Sequence, residues 1–501
     1  MVERKLGILF FISVVLAFFA GFFSSRILPE VPVGSGDDMF NLITESFERY
    51  YYYDIDEIDK HDAFIDSMRA VIQSYAKSNQ DPYTRLISTP LSATPSDNES
   101  FVGIGINLIF EGNNIRITNI YYGSAAHRVL YPNDLIVGIV VAGEDILFDN
   151  LLGETEVLGY LSGELGDTKR LMVESPESTT FSYVDITYSE FATPSVYTVD
   201  LGENDIAYIK ITQFAAPING VSLGTAQIFS EILKTLELTT LAGQNKTLIL
   251  DLRDNPGGSL AALHNQGIQG DFPGIVQQLL VRNLDNPAFT MIPKSGKVQY
   301  FYGGLIAPKP YDIKVLVNEN SASAAEVLAA ALKYEGGYEL YGAPTFGKGV
   351  YQNQVRLKDI RGVRYSLAYT EGEWFYDDGK NVSNTPLTVT PITQTGVKAI
   401  DMPVFVETLS KDMVSYSLSA YQQFLNYRLT LTGENRLRTD GYFDQKTEDA
   451  VFAYTSLKLS AGENQIKNQT SRFMYDDYLD DMRNKDLDMQ LQELIAIIKT
   501  S

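Results

Sequence analysis

Apolar positions change their spacing several times along the chain, and each change predicts a different kind of element. An uncharged run of 18 residues, Leu6 to Phe23, follows Arg4 and Lys5 and precedes Arg26. It is nearly long enough to span a bilayer, and the preceding positive charges predict a cytoplasmic N-terminus with everything after Arg26 exported. A cleaved signal usually has a shorter apolar core and an A-x-A-like site, so residues 1–27 are expected to form an uncleaved anchor, with cleavage as the alternative. Helical spacing follows from Met39 to Ala76 (Phe40, Ile43, Phe47; then Ile65, Met68, Ile72), within a helical region expected over residues 37–92 that could equally be a dimerisation arm.

From 99 to 190 the pattern shortens to strands. Phe101 to Ile106 alternates glycine with apolar residues, and Asn113-Asn114 predicts a hairpin turn into Ile115-Arg116-Ile117. Residues 195–405 read as an α/β unit. Its strands are expected at Ile206 to Ile211, at Leu248 to Arg253 and at Lys314 to Val317, with a helix from Leu223 to Leu236. Further strands are predicted at Val363 to Glu371 and at Pro386 to Pro391. Over 413–459 Leu418, Tyr421, Leu425 and Leu429 share a helical face, and Asp444 is placed to cap a second helix. Residues 460–501 form a polar, mostly helical tail. The expected fold class is a multidomain α+β protein.

Composition removes several functions. A net charge of −23 over 501 residues argues against nucleic acid or anionic lipid as the main partner. The absence of cysteine excludes a thiol nucleophile, disulfides, cysteine zinc sites and a lipoprotein anchor. Three scattered histidines, His61, His127 and His264, offer no H-E-x-x-H helix, so neither a metal nor another cofactor is implied.

The candidate chemistry lies between Asn318 and Gln352. Lys314 to Val317 runs through small residues into an Ala-rich segment from Ala324 to Leu332, which puts Ser323 at a helix start beside unpaired N–H groups and the positive end of the helix dipole. Lys348 lies 25 residues on, flanked by Gly347 and Gly349. A serine nucleophile needs a base, and a desolvated lysine can be one. An isolated serine and lysine would read more simply as a helix cap and a solvated loop residue.

The wording around them closely resembles the carboxyl-terminal processing peptidases, or tail-specific proteases, whose pattern is S-A-S-A-[SA]-E, then T-F-G-K-G, then Gln four residues after the lysine. Here these pieces are Ser321 to Glu326, Thr345 to Gly349, and Gln352. The resemblance implies Ser323 as nucleophile, Lys348 as general base and Gln352 as the residue that orients the lysine. Asp251-Leu252-Arg253-Asp254-Asn255-Pro256-Gly257-Gly258 resembles the family's D-L-R-x-N-P-G-G, which implies an oxyanion hole from Gly257 or Gly258 with the N–H of Ala324. The segment from Ser259 to Tyr302 looks longer than the family's usual connection, and the family's G-I-x-P-D ending is altered at Leu387 to Pro391, so no binding residues are assigned there.

Asp81-Pro82-Tyr83 resembles the end of the family's N-terminal helices. Gly103-Ile104-Gly105-Ile106, with Gly123-Ser124-Ala125-Ala126 and Asn133-Asp134-Leu135-Ile136, resembles a PDZ domain, which would hold the carboxylate of a peptide C-terminus on backbone N–H groups. Tyr421, Phe424 and Leu425 with the later D-G-Y-F-D-x-K-T-E-x-A-V resemble a small helical peptidoglycan-binding domain. Together these imply a membrane-anchored extracytoplasmic serine endopeptidase acting on protein or peptide C-termini, tethered to the cell wall and possible as a homo-oligomer. The rival is a non-catalytic scaffold built from the same binding domains. Ser74-x-x-Lys77, Ser96-Asp97-Asn98 and Lys294-Ser295-Gly296 imitate β-lactam-recognising motifs, but on a helix end, in a loop and in a turn they lack the required context.

Overall fold

The computed structural model describes residues 57–90, 100–151, 153–178, 180–192, 194–217, 224–265 and 272–500. The expected anchor at Leu6 to Phe23 and the Ser96-Asp97-Asn98 loop lie outside them. Among the described residues no helix is long and apolar enough to cross a membrane. The chain divides into a unit ending at Ser74 and a unit from Tyr75 to Ser501. The described part of the first is the opening of helix α1 (Glu57–Ser78), which carries the Ile65, Met68, Ile72 spacing that predicts it. All that follows belongs to the second.

After α1 comes strand β1 (Arg85–Pro90). A β-rich body follows, made of β2 (Ser100–Gly103), β3 (Ile106–Glu111), β4 (Asn114–Ile120), β5 (Leu135–Val141), β6 (Glu144–Leu147), helix α2 (Glu154–Leu161), β7 (Thr168–Glu174), β8 (Ser182–Thr187) and β9 (Ser189–Ala192). The order β3-β4-β5-β7-β8 leaves one edge of β3 without a strand among the described residues, while β2 and β9 form a separate ribbon. Ile115, Ile117, Ile136, Ile139 and Leu171 point into one core with Phe148 and Val157. The first hairpin turns on Gly112-Asn113, one residue earlier than its sequence suggests, because the left-handed position falls to Gly112 (φ 65°).

The α/β unit is built on a six-stranded sheet in the order β10-β11-β12-β15-β16-β19. These strands are β10 (Val196–Thr198), β11 (Ile206–Ile211), β12 (Thr247–Asp251), β15 (Asp312–Val317), β16 (Glu339–Gly342) and β19 (Thr390–Pro391), all parallel from β11 onward. β12 is buried along its whole length, which explains its unbroken apolar run: a parallel strand is covered on both faces. Its Leu248 and Leu250 join the core under helices α3 (Gly224–Leu238), α4 (Ile275–Leu279) and α5 (Ala324–Tyr334), while Ile249 faces the other way. A second sheet, β1-β18-β13-β14 with β17 on β18, is formed with β13 (Phe289–Pro293), β14 (Gln299–Phe301), β17 (Val350–Ile360) and β18 (Val363–Phe375). The long segment from Ser259 to Tyr302 thus supplies α4, β13 and β14. Its Leu263, Ile275, Val276 and Phe289 lie in the same core as Leu250 and Leu328.

Three C-terminal helices, α6 (Leu418–Arg428), α7 (Gln445–Thr455) and α8 (Asn468–Arg483), share a core in which Tyr421, Phe424 and Val451 meet Met474 of α8. Asp444 caps α7, accepting the N–H of Thr447 at 2.8 Å. The last helix, α9 (Met489–Thr500), is not a loose tail. Leu491, Leu494 and Ile495 cover Ile249, Leu316 and Tyr341 on the second face of the central sheet. The tail reads as polar because only one stripe of α9 is apolar, and that stripe is the part the sheet requires.

Candidate active site

β12 and β15 lie side by side, so the turns that leave their C-terminal ends are brought together. Asn255 staples them. Its Nδ2 donates to Ile211 O at 2.9 Å, its Oδ1 accepts the N–H of Gly257 at 2.8 Å, and its carbonyl accepts the N–H of Ala322 at 2.9 Å. Ser321 closes the second turn with its Oγ donating to Leu252 O at 2.8 Å. Gly257 (φ 99°) has no room for a side chain: a Cβ there would stand 2.8 Å from both Ala322 O and Ser323 Cβ. Ser323 therefore rests against the bend at Gly257, at the N-terminus of α5.

Ser323 itself has φ 56° and ψ −117°, a backbone conformation that non-glycine residues avoid. Such a residue stores about 1–3 kcal/mol of strain and persists only when its surroundings over-determine it. Here the over-determining group is Glu326, fully buried at the third position of α5. Its carboxylate accepts N–H groups from Ser323 at 2.9 Å, Gly347 at 2.7 Å and Lys348 at 2.8 Å. One carboxylate thus binds the backbone of the serine and of the lysine, and Ser323 N and Lys348 N share the same Oε2 atom.

The Lys348 loop is fixed on its other side as well. Trp374 Nε1 donates to Lys348 O at 2.9 Å, Asn381 Nδ2 donates to Gly349 O at 2.9 Å, and Ser383 Oγ accepts the N–H of Gly349 at 3.0 Å. The Lys348 amine donates to Gln352 Oε1 at 2.6 Å and sits 4.2 Å from the centroid of the Tyr83 ring. A register shift between Tyr351 and Gln352, opposite Gly372 and Thr370, lies at the place where β17 must turn this side chain back to the lysine. Burial, helped by the nearby Arg85 charge, pushes the Lys348 amine below its ordinary pKa against the opposing charges of Glu326 and Asp81. No hydrogen bond joins Ser323 Oγ to Lys348 Nζ in this arrangement.

The other expected site residues divide in two. The N–H of Gly257 is already donated to Asn255, whereas the N–H groups of Gly258 and Ala324 have no acceptor among the described residues. In the β body Ile104 O accepts from Ala126 N at 2.8 Å and Gly105 O from Tyr121 N at 2.9 Å, which folds the Gly103-to-Ile106 loop against the Gly123-to-Ala126 turn. The N–H groups of Ile104 and Gly105 point to no acceptor among the described residues. His127 stacks on Tyr122, and His264 packs on Phe301 with its Nε2 at 3.0 Å from Tyr302 O, so neither contacts Ser323. Lys294 to Gly296 form a tight turn after β13.

Residues 205–392 match the model of peptidase family S41. The carboxyl-terminal-processing protease of Picosynechococcus sp. is 30% identical over 310 residues, which cover 60% of this chain and 67% of that protein. The chain belongs to peptidase family S41. It is a serine protease of the carboxyl-terminal processing type, like the carboxy-terminal processing protease CtpB of Bacillus subtilis, which is 25% identical over 83% of this chain and 80% of the relative. Among solved structures, a photosystem II D1 C-terminal processing protease aligns over 70% of this chain and 86% of its own, with 19% identity and a TM-score of 0.38.

Within this S41 peptidase, the residue names missed most of what holds the site. Glu326 carried a readable signal, since serine followed three positions later by glutamate is the pattern of a helix start. Tyr83 carried none, because it is more than two hundred residues from Lys348 in the chain.

Proposed function

We propose that this peptidase cleaves polypeptides by attack of Ser323 Oγ, with Lys348 as general base and Gln352 as the neutral group that holds the amine. The observation that supports this most is the amine itself: a lysine held by an amide oxygen under an aromatic ring, its backbone N–H on the same carboxylate oxygen as that of Ser323. A neutral Nζ takes the proton of Ser323 Oγ as the new C–O bond forms. The proton then passes to the leaving amine as the scissile C–N bond breaks, and water hydrolyses the acyl-enzyme by the same base. The contact between Nζ and Oγ tightens when substrate fills the site, as catalytic hydrogen bonds commonly do. The developing oxyanion is received by the N–H groups of Ala324 and Gly258, while Gly257 supplies the close approach that lets the two turns meet.

The β body reads substrate as a PDZ-like domain. An extended chain adds to the open edge of β3, and its terminal carboxylate rests on the N–H groups between Gly103 and Ile106. A cleft of about 1080 Å³ runs between Asn107 and Tyr121 of the β body and Asp254 and Pro256 of the turn that leads to Gly257, with Arg483 also on its wall. Cleavage of a model peptide with a free, apolar C-terminus is expected to exceed that of its C-terminal amide by about tenfold or more in kcat/KM, the worth of one charge-assisted hydrogen bond. Ser323→Ala serves as the blank. Equal rates on acid and amide would reject carboxylate recognition while leaving the protease intact.

The chain acts outside the cytoplasm from an anchor at Leu6 to Phe23, and the helical region around 413–459 holds peptidoglycan. Charge order and apolar length support the anchor, and motif wording supports the wall contact. Protease added to wall-stripped cells should digest the body of the protein, and purified peptidoglycan should pull down the intact chain. Protection of the body would refute the orientation, and an empty pull-down would leave the C-terminal helices a purely structural role.

A further inference from the structure

Tyr83 reaches the lysine from a turn fastened at four points. Asp81 Oδ1 accepts the N–H of Tyr83 at 2.9 Å and the hydroxyl of Thr370 at 3.0 Å, Asp81 Oδ2 accepts the hydroxyl of Thr84 at 2.5 Å, and Thr84 Oγ1 accepts the N–H of Thr370 at 3.0 Å. Immediately afterwards Arg85 pairs with Ala368 and β1 runs antiparallel along β18. β18 also pairs with β17, the strand that carries Gln352. The same sheet therefore sets the position of the ring over Lys348 and of the amide that accepts from it.

We propose that Tyr83 is a positioning residue for Lys348, its ring acting as a lid that keeps water from the base amine. The inference rests on the Ser-Lys reading above. It makes the Asp81-to-Arg85 turn a part of the active site and not only a linker between the N-terminal helix and the β body. A lid of this kind also explains why the turn is fixed by side chains: a ring that moved by a water's width would hydrate the amine.

A tyrosine face has two opposed effects on an ammonium. It attracts the cation by about 0.5–2 kcal/mol, and by excluding water it penalises the cation. The groups facing Nζ are Gln352, which is neutral, Arg85 from β1, Asp81 from the turn and Glu326 from α5. The charges partly cancel, so the loss of water decides the direction, and burial is the largest contribution to the lowered lysine pKa. The Tyr83 hydroxyl is itself pushed up by burial and by the charges of Glu326 and Asp81, so the lid stays a neutral phenol and adds no anion that would hold the lysine protonated.

The test is the pH dependence of kcat/KM in the full chain for Tyr83→Phe, Tyr83→Ala and Lys348→Arg. Activity of the parent rises with pH as the base loses its proton. Tyr83→Phe keeps the ring and is expected to retain the parent profile. Tyr83→Ala hydrates the amine and should move the acid limb upward by about one pH unit, an approximately tenfold loss near neutral pH that closes at alkaline pH. Should Tyr83→Ala fail to fold, Tyr83→Val is expected to give the same upward movement in smaller measure. A folded Ala or Val variant whose acid limb stays with the parent, even at reduced rate, would overturn the lid, as would a Phe variant that shifts like Ala. The Lys348→Arg arm separates the two readings: activity surviving there would reject the Ser-Lys mechanism itself, whereas its loss alongside an unshifted Tyr83→Ala would reject the lid alone.

Discussion

Lys348→Arg is expected to abolish peptide cleavage as completely as Ser323→Ala, by at least about a thousandfold in kcat, while the protein stays folded. The argument is protonic. Neither His127 nor His264 contacts Ser323, so among the described residues the lysine amine is the candidate to take the serine proton. That amine is usable because burial lowers its pKa and because its partner at 2.6 Å is the oxygen of an amide, not a carboxylate. An arginine in its place is charged at every working pH and cannot accept the proton. Its planar head can still lie on Tyr83 and donate to Gln352, so the fold is not at risk. Gln352→Ala should be much milder, about tenfold, because it loosens the amine without adding charge. Substantial turnover by a folded Lys348→Arg protein, measured on any cleaved peptide with the Ser323→Ala blank subtracted, would send the search to another base.

The elements around Ser323 and Lys348 were readable because their signals are local. A strand, a serine at a helix start, a glycine-flanked lysine and a glutamine four residues later each obey short-range rules, and the structure brings Lys348 and Gln352 into direct contact. Strand and helix ends were also close where a single pattern ruled: α3 is Gly224–Leu238, and β12 is one unbroken buried strand. Strand length was less legible. β18 runs on to Phe375 because its far end is paired by β13, and the strand expected at Pro386 shrinks to Thr390–Pro391, where β16 is its one strand partner among the described residues. What no local rule could supply were the long crossings. Arg85 to Pro90 fall within the helical region expected over 37–92, yet they form a strand laid along Ala368 to Val363, and that pairing is what brings Tyr83 to the lysine. The two faces of the central sheet posed the same difficulty. Alternate residues of β12 demand cover on both sides, yet nothing in the chain near Ile249 says that the cover is α9, some 240 residues away.

That last helix leads to the second large effect, which concerns stability. Just before α9, Asp488 meets Arg253, the residue that opens the Gly257-Gly258 turn: Nη2 to Oδ2 is 2.7 Å and Nη1 to Oδ1 is 3.0 Å. Arg253 also donates to Asp251, and Lys398 donates to Asp488 at 2.6 Å, with Asp251, Arg253 and Asp488 all buried. Asp488→Ala removes one carboxylate, leaves Arg253 sharing Asp251 with Lys210 and strips Lys398 of its buried acid, so unfolding should become easier by about 3–5 kcal/mol, the usual result of halving a buried pair. Asp488→Asn keeps the shape and should do less harm. Burial alone would raise the Asp251 and Asp488 carboxyls, but the guanidinium and the lysines outweigh it and hold both below the ordinary carboxylate range. Their stabilisation is therefore complete above the unfolded carboxylate pKa of about 4 and drains away as pH falls through the folded values. Denaturant melts of parent and Asp488→Ala should differ most near neutral pH and converge toward strong acid. Because Arg253 leads directly into Gly257 and Gly258, turnover should fall together with stability. A variant that melts like the parent at neutral pH would mean that Asp251 and bound water suffice to hold the turn, and that α9 serves the sheet without serving the site.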